Sequence, residues 1–294
     1  MRAPLPKPPN KGRKIKFQGE EDDMYQTNYH RPSSLAEAAS LFSGADDAAY
    51  LSGGHTLIPT MKQRLAAPSD LIDLTGLSDL KGIEAGSDSV TIGAATTHAE
   101  VGASDAVRGA IPALADLAGS IGDPHVRHRG TIGGSVANND PAADYASAVL
   151  ALAATIHTDK RQIAADDFFN GLFETSLEPG EIVTRIAFKV PAEAGYGKFR
   201  NPASRYPMAG VFVARSADGS VRVAVTGAGA SGVYRWSEAE SALSGSFTAD
   251  ALSGLSVDAG GLMSDLHASA EYRANLIKVM AGRAVANMGS ATIA

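Results

Sequence analysis

Hydrophobic and polar positions along the chain follow two periods, one typical of strands and one typical of helices. Apolar runs bounded by turn residues predict strands at 48–51, 71–74, 90–94 and 182–190. Helical spacing predicts helices at 35–44, 59–65, 106–120 and 142–154. Ser34 and Glu37 have the spacing of a capping box at the first of these helices, and Gly44 ends it. Because strands and helices are interleaved, a mixed α+β chain is predicted.

The pattern changes near residue 195, where we predict a domain boundary. Two apolar runs at 211–216 and 221–226 flank Asp218-Gly219, a dipeptide that strongly favours a β-hairpin. The last 25 residues carry large or apolar side chains at steps of four, which predict an amphipathic terminal helix; they are Tyr272, Leu276, Met280, Ala284 and Met288. By contrast, residues 122–144 lack apolar periodicity and are predicted to form a long functional loop.

Residues 1–23 differ in composition from the rest of the chain. Basic residues crowd among prolines, and four acidic residues follow at 20–23. This composition predicts a flexible, solvated tail, with contact to an acidic partner or surface as the alternative.

The overall charge and the absence of cysteine exclude several classes of function. The chain has 26 basic and 32 acidic residues, a formal net charge of −6, which argues against broad binding to nucleic acid. With no cysteine, it provides neither a thiolate zinc site, a cysteine nucleophile nor cysteine ligands for an iron–sulfur cluster. No long apolar segment or signal-peptide pattern is visible, so a cytoplasmic protein is predicted, with a peripheral position at the inner membrane face as the alternative.

Two short glycine loops are candidate phosphate sites. Residues 52–56 read Ser-Gly-Gly-His-Thr between a predicted strand and helix, where several backbone N–H groups can point into one concavity. Residues 131–135 read Thr-Ile-Gly-Gly-Ser and offer a second set of small donors. The alternative for either loop is a tight turn that contains glycine for conformational reasons. Asp140 and Asp144 follow, as candidate ligands of ribose hydroxyls or as a turn residue and a helix cap.

Two other motifs are weaker candidates. His125 and His128 lack the third ligand that a metal site needs, so no metal is predicted. Residues 227–232 match the glycine spacing of a dinucleotide fingerprint, but the preceding strand belongs to the predicted antiparallel hairpin. Since a Rossmann unit needs a parallel strand followed directly by a helix, NAD binding is disfavoured.

Three ordered blocks resemble the FAD-binding medium subunit of the molybdenum hydroxylases, a group that includes aerobic carbon monoxide dehydrogenase and xanthine dehydrogenase. The first block reads YLSGGHTLIP at 50–59 and continues to DLIDL at 70–74. The second reads IGDPHVRHRGTIGGS at 121–135 and continues to DPAAD at 140–144. The third, KFRNPASR at 198–205, is similar to the start of the family's C-terminal domain.

The resemblance implies an α+β fold with a two-subdomain FAD-binding domain of the vanillyl-alcohol oxidase type at 24–195. A smaller α+β C-terminal domain of the carbon monoxide dehydrogenase flavoprotein type would follow at 196–294. By position, the implied FAD-binding residues of the first block are Ser52, Gly53, Gly54, His55, Thr56 and Leu57. Those of the second block and the long strand are Ile121, Gly122, Asp123, Thr131, Ile132, Gly133, Gly134, Ser135, Asp140, Asp144 and Val183.

The same resemblance assigns roles to these residues. The first loop would wrap the diphosphate, and the second would contact the diphosphate and ribityl region. Asp144 would bind FAD through its carboxylate. Residues 121–123 and Val183 would lie toward the flavin ring. Ser52 and Thr56 stand where the family more often has alanine and serine, and His125 and His128 stand where it more often has glutamine and asparagine.

The implied function is electron transfer within a multi-subunit oxidoreductase, with no catalytic residue on this chain. A large subunit would hold the molybdenum cofactor, and a small subunit would hold two [2Fe–2S] clusters. The FAD here would pass electrons to an external acceptor such as a quinone, cytochrome, NAD or oxygen. Absence of cysteine agrees with clusters on another chain. The alternatives are a self-contained FAD-dependent oxidase or dehydrogenase and a scaffold subunit without cofactor.

Overall fold

The structure, a computed structural model, describes residues 25–294. The tail predicted at residues 1–23 lies outside this range. None of the helices within the described range is both long and apolar enough to span a membrane.

The chain begins with a small parallel sheet of order β1-β3-β2. Its strands are β1 (Asn28–His30), β2 (Ala48–Leu51) and β3 (Asp70–Asp73). Helix α1 (Leu35–Gly44) and helix α2 (Leu57–Lys62) form the connections. The strands predicted at 48–51 and 71–74 are confirmed, and the predicted second helix begins two residues earlier than expected.

The capping box predicted at α1 is half formed. The Ser34 side chain accepts from the backbone N–H of Glu37, but the Glu37 carboxylate accepts from the backbone and hydroxyl of Ser33 instead of Ser34. A complete capping box, which was not predicted, joins Thr97 and Glu100 at the start of the third helix.

A second, antiparallel sheet follows, of order β4-β5-β10-β6-β7. Its strands are β4 (Ile83–Ala85), β5 (Ser89–Gly93), β6 (Thr155–Thr158), β7 (Gln162–Ala164) and β10 (Val183–Lys189). A separate hairpin of β8 (Phe169–Gly171) and β9 (Glu174–Thr175) precedes β10. The alternating run predicted at 182–190 therefore forms the central strand.

Six helices lie between β5 and β6. They are α3 (His98–Ala103), α4 (Asp105–Ala110), α5 (Pro112–Gly119), α6 (Pro124–Arg127), α7 (Ile132–Asn138) and α8 (Asp144–Ala151). The single helix predicted at 106–120 is wrong: it divides at Ile111, because the residue before a proline disfavours the helical conformation. The long loop predicted at 122–144 contains α6 and α7, whose short lengths leave little periodic pattern.

The C-terminal part is a five-stranded sheet with two helices, in the order β14-β13-β12-β11-β15. The strands are β11 (Glu193–Arg200), β12 (Pro207–Arg215), β13 (Val221–Thr226), β14 (Tyr234–Arg235) and β15 (Ala291–Ile293). The helices are α9 (Ser237–Gly245) and α10 (Ala270–Ala286). The hairpin predicted around Asp218-Gly219 is confirmed as β12 and β13. The boundary predicted near residue 195 falls inside β11; the sheets change between Lys189 and Glu193.

Helix α10 covers one face of this sheet at very short range. A Cβ added to Gly197 of β11 would lie 2.2 Å from the carbonyl oxygen of Met280, so only glycine permits this approach. The terminal helix is confirmed, although Tyr272 on its first turn is largely exposed and Met288 lies beyond its end. The opposite face of the sheet joins the main core, where Tyr196 and Phe212 pack with residues of α5 and α8.

Candidate functional site

A cavity of about 650 Å³ collects most of the predicted site residues. It lies beside the first two sheets and is bordered by the loop that joins β11 to β12. The predicted residues on its wall are Ser52, Gly53, Gly54, His55, Thr56, Leu57, Ile121, Gly122, Thr131, Gly133, Gly134, Ser135, Asp140, Asp144 and Val183. Two blocks that are 60 residues or more apart in sequence thus face one space.

Two of the predicted residues do not line this cavity. The Asp123 carboxylate accepts from the backbone N–H of Val126 at 2.9 Å and thereby caps α6. Ile132 is fully buried in the core, and its N–H donates to the carbonyl of Thr96. Both residues hold the local structure of the second block in place.

The first glycine loop, residues 52–57, presents free backbone donors to the cavity. The N–H groups of the five residues Gly53–Leu57 donate no hydrogen bond to any other residue within 25–294. Gly54 has φ +75°, a conformation that L-residues other than asparagine or aspartate rarely adopt, and this turns the loop into a concave run. Such a run of N–H groups forms an anion-binding nest.

The second glycine loop, residues 130–135, supports the first from behind. A Cβ on Gly53 would lie 2.3 Å from the carbonyl oxygen of Arg129 and 2.6 Å from the Cα of Gly130, so the two loops are in backbone contact. The hydroxyls of Ser52 and Thr131 are 2.7 Å apart and form a hydrogen bond between the loops. The position of the first loop therefore depends on the second.

The second loop has few backbone donors left for a ligand. The Gly133 N–H donates to the carbonyl of Ala94 at 2.9 Å, and the Gly134 N–H donates to the Thr131 hydroxyl at 3.2 Å. A Cβ on Gly133 would lie 2.4 Å from the Cβ of Ala94. The sequence-based expectation of two equivalent sets of backbone donors is thus wrong. This glycine pair instead lets α7 approach the end of β5, and the Ser135 side chain is left beside the cavity.

The carboxylate of Asp144 is buried and held by two residues of β11. It accepts from the Tyr196 hydroxyl at 2.6 Å and forms an ion pair with the Lys198 ammonium at 2.8 Å. Lys198 itself is fully buried. Asp144 is the first residue of α8 but forms no side-chain cap, so the alternative role of helix cap is not what the structure shows.

Asp140 is a turn residue that also lies on the cavity wall. Its carboxylate accepts from the N–H of Ala142 at 2.8 Å, as a turn residue beside Pro141 would. It also lines the cavity, and burial raises the pKa of its carboxyl group.

Several cavity residues were missed by the sequence analysis. Those with polar side chains are Tyr50, Thr60, His98, Asn138, Glu181, Ser204, Arg205 and Tyr206. Burial, helped by the charges of His55 and Arg127, lowers the pKa of His98 to about 4, so this imidazole is neutral at pH 7. Ser204 and Arg205 are the last residues of the third block and Tyr206 follows it, so the position of this block at the end of β11 was the available signal. Arg205 donates to the carbonyl of Gly122 at 3.2 Å.

The other two candidate motifs lie away from the cavity. Residues 227–232 follow β13, which is antiparallel to both of its neighbours, and the next helix begins only at Ser237. The geometry is that of a structural turn, as the predicted antiparallel context implies. The His128 ring is hydrogen-bonded to the carbonyl of Pro124, and no group of three or more potential metal ligands occurs within the described range.

The site fits FAD by shape and by donor chemistry. Its volume lies within the range of about 300–1,000 Å³ that is typical of cofactor and ligand pockets. The free N–H groups of the first glycine loop suit the oxygens of a diphosphate, and acceptors such as Asp144 suit sugar hydroxyls.

Comparisons with known proteins identify the family. The family model described as the FAD binding domain in molybdopterin dehydrogenase matches residues 23–192. The chain is 35% identical over 277 residues to the nicotine 6-hydroxylase medium subunit of Paenarthrobacter nicotinovorans, covering 90% of this chain and 98% of that protein. It is 33% identical to the carbon monoxide dehydrogenase medium chain of Hydrogenophaga pseudoflava, covering 87% and 95%.

Solved structures show the same similarity. A chain of CO dehydrogenase from Oligotropha carboxidovorans superposes with a TM-score of 0.80 at 34% identity, covering 89% of this chain and 96% of that one. A chain of quinoline 2-oxidoreductase from Pseudomonas putida 86 gives a TM-score of 0.80 at 26% identity, covering 90% and 96%. The predicted α+β fold class is confirmed, and FAD is confirmed as the cofactor of this type of domain. The chain therefore belongs to the FAD-binding medium subunits of the molybdenum hydroxylases, a family of multi-subunit oxidoreductases.

Proposed function

We propose that this chain is the electron exit of its complex. It holds FAD in the cavity, receives electrons from [2Fe–2S] clusters on a partner subunit, and passes them to an external acceptor. The substrate would be oxidised at a molybdenum cofactor on a third chain. A complex related to aerobic carbon monoxide dehydrogenase is favoured, because two of the chain's relatives carry that name.

One observation carries this proposal: the five consecutive residues from Gly53 to Leu57 line the cavity, and their N–H groups have no acceptor among the described residues. Unpaired backbone donors are costly unless water or a ligand satisfies them. A diphosphate satisfies several at once, and its negative charge strengthens each hydrogen bond. The first glycine loop is therefore the proposed diphosphate site.

The remaining walls have complementary roles. Asp144 and Asp140 supply acceptors for hydroxyls of the ribityl or ribose groups, and Ser135 supplies a hydroxyl. Ile121, Gly122 and Val183 provide an apolar stretch suited to the flavin ring. When bound, FAD accepts electrons and releases them singly or in pairs, which lets it link one-electron clusters to acceptors of either kind. The protein's part is to orient the cofactor and limit its contact with water.

The proposed distribution of cofactors among the subunits rests on the absence of cysteine from this chain. It contains no cysteine, so cysteine-ligated clusters must be on another chain. A relative from Paenarthrobacter nicotinovorans is itself named as a subunit of a dehydrogenase complex. We propose that the FAD-binding domain ends between β10 and β11, and that the C-terminal sheet follows as a second domain.

A complex with a flavin-free medium subunit tests the electron path. The native complex is screened with carbon monoxide, nicotine and quinoline, and the substrate that it oxidises is then used with a complex containing the variant Gly54→Val. We expect the substrate to reduce the iron–sulfur clusters of the variant complex, while reduction of an artificial acceptor dye falls to a small fraction of the native rate. Acceptor reduction at the native rate without flavin would contradict the proposal.

The alternative of a self-contained flavoenzyme is tested with the isolated chain. Purified chain loaded with FAD is offered the same three donors. We expect no bleaching of the flavin absorption without partner subunits. Bleaching by one of the donors would show a substrate site on this chain and would replace the electron-exit role.

A further inference from the structure

The segment Asp140–Asp144, which forms one wall of the cavity, is held from outside the FAD-binding domain. The family model ends at residue 192, whereas four residues that bond this segment lie beyond it in β11, in β13 and just after β13. They are Tyr196, Lys198, Thr226 and Gly227. We name these four residues the C-terminal clamp, and we infer that the clamp is part of the FAD-binding apparatus.

The clamp fixes the backbone of the segment through two carbonyl groups. The Gly227 N–H donates to the carbonyl of Pro141 at 2.9 Å. The Thr226 hydroxyl donates to the carbonyl of Ala143 at 2.8 Å and lies 3.2 Å from that of Pro141. The Thr226 side chain is fully buried, so water does not compete for these hydrogen bonds.

Gly227 belongs to the glycine motif at 227–232 that resembles a dinucleotide fingerprint, and the clamp explains its sequence. Gly227 has φ +80°, and a Cβ there would lie 2.3 Å from the carbonyl oxygen of Pro207. The buried Arg273 donates to the carbonyl of Gly227 at 2.7 Å and holds the turn from the other side. This glycine acts on the FAD site indirectly, by supporting the segment.

Tyr196 and Lys198 fix the side chain of Asp144. The Tyr196 hydroxyl and the Lys198 ammonium both approach the carboxylate within 3.1 Å, and both side chains are fully buried and absent from the cavity wall. They therefore act through Asp144 as positioning residues. The bonds from Tyr196 and Lys198 fix the orientation of the Asp144 carboxylate, whose oxygens accept hydrogen bonds. The clamp thus keeps Asp144 an acceptor for a hydroxyl of FAD.

This inference rests on the proposed binding of FAD in the cavity. It adds that the affinity for FAD depends on side chains that are absent from the cavity wall and that lie beyond the stretch matched by the family model.

The test compares two buried tyrosines in the full-length chain. Tyr196→Phe removes the hydrogen bond to Asp144, whereas Tyr145→Phe removes a buried hydroxyl that has no partner within the described range, one residue from Asp144. FAD is titrated into flavin-free chain, and binding is followed by calorimetry and by flavin fluorescence. We expect Tyr196→Phe to weaken FAD binding about tenfold and Tyr145→Phe to change it less than about twofold. Thr226→Val should weaken it about fivefold.

A third pair of variants separates positioning by charge from packing. Lys198→Met keeps most of the side-chain volume and removes the ammonium that pairs with Asp144, whereas Lys198→Arg keeps the positive charge. We expect Lys198→Met to weaken FAD binding about tenfold and Lys198→Arg to restore part of the affinity.

The outcomes are distinguishable. Wild-type affinity in Tyr196→Phe and Thr226→Val, or equal losses in Tyr196→Phe and Tyr145→Phe, would overturn the inference. Equal losses in Lys198→Met and Lys198→Arg would do the same. Unfolding midpoints of the flavin-free variants show whether each chain is folded. If Asp144→Asn binds FAD normally while Gly54→Val does not, the inference about the clamp is wrong but the proposed FAD site is supported. If wild-type chain binds no FAD, the proposed function itself fails.

Discussion

The first and second glycine loops each contain a glycine pair, yet the backbone N–H groups of the two loops differ in their hydrogen bonding. In the first loop the N–H groups of Gly53–Leu57 have no acceptor among residues 25–294, and these five residues line the cavity. In the second, the N–H groups of Gly133 and Gly134 are already bonded within the chain, and the missing side chain of Gly133 lets α7 pack against Ala94. A glycine pair near a cofactor can thus bind the cofactor or position the loop that does.

The largest effect should come from the second loop. In Gly133→Val the new side chain would overlap the Cβ and backbone of Ala94, and backbone atoms cannot move aside as a flexible side chain can. We expect a loss of about 3 kcal/mol or more in the free energy of unfolding, together with loss of FAD. Chemical denaturation of the flavin-free chain measures it. A variant with unchanged stability that only loses FAD would show that the two loops have the same role.

A smaller effect should come from Glu181, which lies on the cavity wall. It follows Gly180, whose carbonyl accepts a hydrogen bond from the Tyr50 hydroxyl. Hydrogen bonds from Arg161 lower the pKa of Glu181 from 4.5 to about 2. Because the pKa is lower in the folded state, the stabilisation is present above about pH 4.5 and is lost as the pH falls to about 2. We expect Glu181→Gln to cost about 2 kcal/mol at neutral pH, and less as the pH falls through this window.

The matching measurement is thermal or chemical unfolding of both chains across the acid range. A stability difference that stays constant down to pH values near 2 would contradict the assigned ionisation of Glu181. FAD affinity at neutral pH serves as the control for the comparison, since Glu181→Gln leaves the N–H groups of the first loop in place.

The first loop should respond to a small change with a loss of affinity and little loss of stability. In Gly54→Ala the methyl group would lie 3.2 Å from Ile58 and 3.3 Å from Leu51, both movable side chains, but the backbone at φ +75° becomes strained. We expect the loop to relax and FAD affinity to fall about tenfold, with a stability change near 1 kcal/mol. Gly44→Ala, at a helix end with open space around it, is the control. Equal effects at both positions would remove the special role of the first loop.

The smallest effect should come from Ser52→Ala, which removes the bond that joins the loops, and Thr131→Val is its comparison. Ser52→Ala removes the hydrogen bond to the Thr131 hydroxyl, while Thr131→Val removes this bond and the N-cap of α7. We expect losses of about 0.5–1 kcal/mol and about 1–2 kcal/mol in unfolding free energy. If the two variants lose the same amount, the cap of the second loop contributes nothing to its stability.

Local sequence rules predicted the elements whose signals are contained within a few residues. The hairpin around Asp218-Gly219 is an example, since the turn dipeptide specifies its own geometry. The first glycine loop was a candidate from its local pattern, and motif resemblance predicted most of the site residues that lie on the cavity wall but fewer than half of that wall. The single helix predicted over 106–120 was wrong, because Pro112 divides an Ala-rich run whose spacing is otherwise helical.

Long-range relations were not predictable from spacing alone. Nothing in the sequence indicated that the N–H groups of Gly133 and Gly134 would be bonded within the chain, because their acceptors are set by how α7 meets β5 and Thr131. Equally, Lys198 gave no sign of pairing with Asp144, 54 residues earlier, since this contact exists only after the C-terminal sheet packs on α8. Buried polar pairs of this kind depend on tertiary structure.

The central claim is that FAD resides on this chain while the iron–sulfur clusters reside on its partners. Its most direct test is the visible absorption spectrum of the native complex, purified through this chain, before and after the subunits are separated. We expect flavin bands to remain with this chain and iron–sulfur absorption to remain with the partners. Two results would contradict this proposal. One is a native complex in which this chain carries no flavin, and the other is native material in which this chain carries flavin but has no partner subunit.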